Sequence, residues 1–132
     1  MIESHPYTIE LPKRGNEQQG FLTVAQNEIP FNVKRSYWIY GADEAIERGG
    51  HAFHKNQSVL VCLQGTVIIE LFSRTNEKCT YTLDSPNKLL YVPPYYWKTF
   101  VLTPSTIIVS FASEEYNEQD YIRDKDVFLK NG

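Results

Sequence analysis

The segment Glu47-Arg48-Gly49-Gly50-His51-Ala52-Phe53-His54-Lys55 holds two of the three histidines in this chain. Imidazole titrates near neutrality, so it suits general acid or base work. Two glycines ahead of His51 suggest a sharp entry into a strand. Side chains alternate faces along a strand. His51, Phe53 and Lys55 then share one face, and His54 takes the other. A histidine so placed is either a proton carrier or a satisfied structural residue. The same alternation in Lys34-Arg35-Ser36-Tyr37-Trp38-Ile39 puts Arg35, Tyr37 and Ile39 on one face and Lys34, Ser36 and Trp38 on the other. An inward Arg35 would bury an unpaired guanidinium, which is costly. A bound anion would remove that cost. Alternatively, Arg35 points to solvent or meets a carboxylate.

Short β-type runs must position these groups. Phe21 to Ala25 is one, and Phe31 to Tyr40, opened by Pro30 and closed by Gly41, is another. Val59 to Leu63 is apolar on both faces and is expected to be central. Thr66 to Phe72 follows the turn pair Gln64-Gly65. Cys79 to Leu83, Lys88 to Val92, Trp97 to Leu102 and Ser105 to Phe111 continue the series. Pro93-Pro94 cannot donate to a ladder and marks a break. Such a series implies an all-β sandwich or barrel. Residues 1–16 read as a polar arm or edge strand. Over 117–130, Tyr121, Ile122, Val127 and Phe128 form an uneven apolar stripe behind a candidate N-cap, Asn117. One short helix over the barrel, or two turns broken near Asp124, is expected there.

The 132 residues suit one domain, 1–132. A net charge of −3 argues against gripping a nucleic-acid polymer. No apolar run approaches the roughly 20 residues that span a bilayer. The opening residues lack the pattern of a secretory signal, so the expected compartment is the cytoplasm. Cys62, in an apolar run, and Cys79 are expected to be structural.

Four stretches together resemble the dTDP-4-keto-6-deoxyglucose 3,4-ketoisomerases, the WxcM-like cupins. They are Ile29-Pro30-Phe31-Asn32-Val33-Lys34-Arg35-Ser36-Tyr37-Trp38-Ile39, Arg48-Gly49-Gly50-His51-Ala52 with the later Leu63-Gln64-Gly65, Leu90-Tyr91-Val92-Pro93-Pro94-Tyr95-Tyr96-Trp97, and Tyr116-Asn117-Glu118-Gln119-Asp120-Tyr121-Ile122-Arg123. Order and spacing hold from about Gly20 to Phe128. The resemblance implies a cupin-type β-barrel (jelly roll), a homodimer with exchanged N-terminal strands, and a dTDP-sugar ligand. It implies no cofactor and no metal. The implied reaction moves a ketone from C4 to C3 of the hexose through an enediol. By position, His51 matches the base, Tyr37 a tyrosine near the reacting carbons, and Arg35 a cation suited to the diphosphate. Lys34, Arg48, Phe53, His54 and Trp97 are further expected substrate contacts.

The chain departs from the family pattern at three places. Phe53 stands where the motif has a second histidine, with His54 in place of its lysine. Gln19-Gly20 replaces an Arg-Gly pair, and Lys98 follows Trp97 where a histidine is common. With metal-binding cupins carrying His-x-His, a glutamate and a later histidine, and His5 in the polar arm, three converging ligands are not expected. Two readings follow. In one the chain is an isomerase that has changed its proton carriers. In the other it is a non-catalytic nucleotide-sugar or carbohydrate-binding cupin.

Overall fold

The computed structural model describes residues 4–130. Its strands are β1 (Tyr7–Glu10), β2 (Arg14–Asn16), β3 (Gly20–Leu22), β4 (Arg35–Ile39), β5 (Ile46–Phe53), β6 (Ser58–Gln64), β7 (Val67–Phe72), β8 (Lys78–Leu83), β9 (Lys88–Val92), β10 (Trp97–Leu102), β11 (Ile107–Ala112) and β12 (Tyr121–Ile122), and α1 (Lys125–Lys130) follows. Two five-stranded antiparallel sheets form, in the orders β1-β9-β6-β11-β4 and β12-β5-β10-β7-β8, while β2 and β3 make a separate hairpin. This is the all-β arrangement expected from the pattern of short strands, in the jelly-roll form that the family resemblance implies.

Alternation explains the core. Leu60 and Cys62 of β6, Ile69 and Leu71 of β7, Leu90 of β9, Phe100 and Leu102 of β10 and Ile108 of β11 interdigitate between the sheets. Strand β6 lies in the middle of its sheet, as its two apolar faces require. Its other face, Val59 and Val61, joins Leu11, Leu89 and Tyr91 in a second cluster. Cys62 is buried and Cys79 half-buried, both as free thiols.

Several expected boundaries contract. The run from Phe31 is a strand only at Arg35–Ile39, where it pairs with β11, and the run from Phe21 pairs only at Gly20–Leu22. The polar arm supplies β1 on the edge beside β9, and β2; its first three residues lie outside the described ones.

The short C-terminal helix is present, but its bounds over 117–130 are a correction: it covers Lys125–Lys130, beginning next to the expected break near Asp124. Asn117 does cap a turn, accepting the Gln119 N–H at 3.0 Å, but that turn is a single 3-10 turn, Glu118–Asp120. Tyr121 and Ile122 then pair with Phe53 and Ala52 on the open edge of β5. Ladder formation on this edge competes with local helix formation and wins. The α-helix starts afterwards, with the Asp124 carboxylate accepting the Asp126 N–H at 2.9 Å. It buries Phe128 beside Trp97.

Candidate active site

A β-bulge sets the depth of His51. Along the β5–β10 ladder His51 faces Lys98 and Gly49 faces Thr99, so Gly50 is the extra residue. Gly49 and Gly50 have φ of +88° and +77°, and a Cβ on Gly49 would come within 2.5 Å of the Lys98 carbonyl oxygen. Only glycine fits that crossing. Beyond the bulge His51 turns inward beside Phe53, their rings 5.0 Å apart and edge-on.

Strand β4 supplies the facing groups. Arg35, Tyr37 and Ile39 are half-buried, while Ser36 and Trp38 are exposed. The guanidinium carbon of Arg35 lies 5.4 Å from the Tyr37 ring centre and 5.8 Å from that of Tyr116. Across the ladder Ser110 faces Tyr37 and Ala112 faces Arg35. Tyr121 closes the outer side, its ring 5.0 Å from His51 and 4.5 Å from Phe53.

Lys98 ties these groups together. It is only 5% exposed and faces His51 on the neighbouring strand. Its charge acts on both His51 and Tyr37. Burial first, then Lys98 and Arg123, push the His51 imidazole down to about 3, against smaller opposing effects of the Gly49 backbone and Glu118. The ring is therefore neutral at pH 7. A bond to the Gly49 backbone that favours the charged ring is one in which the imidazole donates. Nε2 is buried and has no partner. Burial raises the Tyr37 phenol, but Lys98, the Ser110 hydroxyl and Arg35 outweigh it, and the net direction is below the usual tyrosine range.

Arg35 Nε is likewise buried without a partner, and Ser110 Oγ, near enough to the Tyr37 phenol to lower it, meets no partner at full hydrogen-bond geometry. Buried polar atoms left unpaired carry a desolvation cost. A ligand bearing hydroxyl, carbonyl and anionic oxygens would satisfy all of them. The arrangement can abstract a proton with a neutral base, carry one on a phenol, and hold developing negative charge against an ammonium.

The other expected contacts lie elsewhere. Trp97 is a correction: alternation along β10 turns it away from Lys98, and it packs under α1 with its ring 5.8 Å from Phe128. Arg48 is exposed, on the near side of the bulge. His54 points outward, with Nδ1 3.1 Å from the Tyr95 hydroxyl. Lys34 is exposed and, with His54, Lys55, Tyr116 and Gln119, borders a surface cleft that His51, Tyr37 and Lys98 do not line. Lys98, Ser110, Tyr116 and Tyr121 were not singled out from the sequence as site residues. Lys98 was within reach, since alternation from the buried Phe100 turns it inward. Among the described residues, no group of three or more His, Cys, Asp or Glu side chains is arranged to hold a metal ion.

A barrel of two antiparallel sheets that directs the unpaired polar atoms of His51, Arg35 and Ser110 inward is of the cupin class. Within that class the chain belongs to the family described as FdtA: WxcM-like, C-terminal, whose model matches residues 4–132. It is 35% identical over 124 residues to the TDP-4-oxo-6-deoxy-alpha-D-glucose-3,4-oxoisomerase of Aneurinibacillus thermoaerophilus, covering 92% of this chain and 88% of that one. A variant of the 3,4-ketoisomerase QdtA of Thermoanaerobacterium thermosaccharolyticum, in complex with TDP-4-keto-6-deoxyglucose, superposes with a TM-score of 0.89 at 32% identity, over 98% of this chain and 95% of that one. The TDP-quinovose 3,4-ketoisomerase WlaRB of Campylobacter jejuni gives 0.88 at 26% identity, over 98% of this chain and 100% of that one.

Proposed function

We propose that this chain is a sugar-nucleotide 3,4-ketoisomerase acting on a dTDP-4-keto-6-deoxyhexose. The observation that carries this reading is the neutral His51, its Nε2 buried and unpaired, under the same Lys98 charge that acts on Tyr37, with Arg35 beside that phenol. His51 Nε2 removes the C3 proton, which the neighbouring ketone acidifies. The electron pair moves to O4, where the Lys98 ammonium stabilises the enediolate. Tyr37 passes a proton between the two oxygens, so O4 gains one as the C3 hydroxyl loses one. The imidazolium returns its proton at C4, and the ketone is left at C3. Phe53 takes no proton in this scheme. It narrows the cavity to one imidazole and offers an apolar wall to the deoxy carbon.

Arg35 takes the diphosphate, for which a guanidinium fork is well suited. Arg35→Ala is expected to weaken dTDP binding by about 1.5–3 kcal/mol, the range for hydrogen bonds to charged groups. Isothermal titration calorimetry checks this, and unchanged affinity would remove Arg35 from the site.

The decisive test is turnover. NMR of the wild-type protein with dTDP-4-keto-6-deoxyglucose should show signals of a 3-keto product. Binding of dTDP-sugar without conversion would leave the binding-only alternative standing; the named relatives, all isomerases, do not favour it. The same reading makes the protein a cytoplasmic homodimer supplying deoxyamino-sugar pathways for surface polysaccharides. An outer surface exposing Phe21, Leu22, Trp38 and Leu63 supports association. No helix among the described residues is long and apolar enough to cross a membrane.

A further inference from the structure

Between β11 and α1 the chain returns across the barrel mouth, and its backbone is tied down independently of its charged side chains. The Ser113 N–H donates to the Gln57 carbonyl at 3.0 Å. The Glu114 N–H donates to Asn56 Oδ1 at 3.1 Å. The Asp120 carboxylate accepts the N–H groups of Lys55 and Asn56 at 2.8 and 3.0 Å. Tyr121 and Ile122 complete the attachment through the β5 ladder.

Over this strap lies an exposed cluster that none of those bonds needs. Arg123 grips Glu118 through both arms, Nε to Oε1 at 2.5 Å and Nη2 to Oε2 at 2.9 Å. The Tyr116 hydroxyl donates to Glu118 Oε2 at 2.7 Å. The Arg123 guanidinium stacks on the Tyr121 ring, 4.3 Å from its centre. The two tyrosine rings are 5.8 Å apart. Both partners of the ion pair are more than half exposed, and such pairs add little to stability. A side-on fork nevertheless fixes geometry more tightly than a single contact. The Arg123 fork, first, and the Tyr116 phenol hold the Glu118 carboxyl down at about 2, so the pair stays charged through the working pH range.

We propose, resting on the isomerase reading above, that Glu118 and Arg123 are positioning residues: their clasp fixes the Tyr116 and Tyr121 rings as the outer wall of the cavity, over Arg35 and His51. Neither touches the reacting carbons. Tyr121 bears on His51 directly, so a slack clasp lets the imidazole rotate away from the C3 proton. Misplacement of a reacting group by about 1 Å can cost on the order of 100-fold in rate.

Two single variants and their charge-swapped double test this. Glu118→Gln removes the ion pair, and Arg123→Lys keeps the charge while removing the fork. Each should melt within about 3 °C of wild type, as expected for an exposed pair. Each should lower kcat about 10- to 100-fold with KM changed less than about threefold. Each should also shift the His51 Hε1 NMR resonance, assigned by its absence from His51→Asn, because the Tyr121 ring current changes. Glu118→Arg combined with Arg123→Glu re-forms the ion pair but neither the Tyr116 hydrogen bond nor the stack on Tyr121, so kcat should stay as low as in the singles. Singles within twofold of wild-type kcat, an unmoved His51 resonance, or a double variant restored to wild-type kcat without the tyrosine contacts would each overturn the clasp. If wild type turns over no keto sugar, the isomerase reading fails, and the resonance still decides the clasp.

Discussion

Replacing His51 by asparagine is expected to lower ketoisomerase turnover by at least about 100- to 10,000-fold, the usual contribution of a general base, while the melting temperature stays close to that of wild type. The amide keeps a polar group of similar size beside the bulge, but it cannot take a proton at neutral pH. Stability should respond more to pH than to the substitution itself. In the folded state the imidazole stays neutral down to about 3, whereas in the unfolded chain it protonates near its ordinary 6.5. The unfolded state therefore binds the extra proton, and wild type loses stability as pH falls from about 6.5 toward 3. His51→Asn removes this dependence. The variant should lose less stability on acidification, measured by urea unfolding at pH 7 and at pH 4.5. A large loss of stability at pH 7 would make His51 a structural residue and end its role as base.

What could be read from the sequence was whatever followed from local geometry. The strict period of a strand put Arg35 and Tyr37 on one face and His51 and Phe53 on another. Both faces do turn inward. The paired glycines announced an irregular entry to His51, though not that Gly50 is an unpaired extra residue. What could not be read depended on chain segments meeting from far apart. The stretch from Asn117 has the residue types of a helix start, but the open edge of β5 claims Tyr121 and Ile122 for a ladder. Trp97 attracted notice as an aromatic residue. Its neighbour Lys98, the one with a charge to contribute, takes the inward position. Tyr116 and Tyr121 were visible as motif letters, but their place as a cavity wall is set by the returning strap. The substitution of Phe53 for a second imidazole suggested lost catalysis. Lys98 and the down-shifted Tyr37 supply the groups through which a one-histidine site can still move protons.

Lys98→Met carries the other large expected effect. Methionine is unbranched and apolar and fills a buried lysine's space, so the barrel should remain folded. Loss of the ammonium removes the group that faces the enediolate. A single preorganised electrostatic contact of this kind is worth on the order of 100- to 1,000-fold in kcat. The pH profile should move in a direction that packing alone cannot produce. Lys98 lowers His51, so its loss lets the imidazole rise from about 3 toward its ordinary range. An acid limb in kcat/KM should then enter the accessible range, with activity lost as pH falls. Lys98 also lowers the Tyr37 phenol, so any alkaline limb due to that group should move to higher pH. Both limbs therefore shift upward together. Lys98→Arg keeps the charge, and with it the acid limb should stay out of range even if turnover suffers from the larger fork. A Lys98→Met enzyme whose rate and pH profile both match wild type would show that no negative charge builds up beside Lys98. The enediolate would then have to be held elsewhere in the cavity, with Arg35 the remaining cation on its inner face.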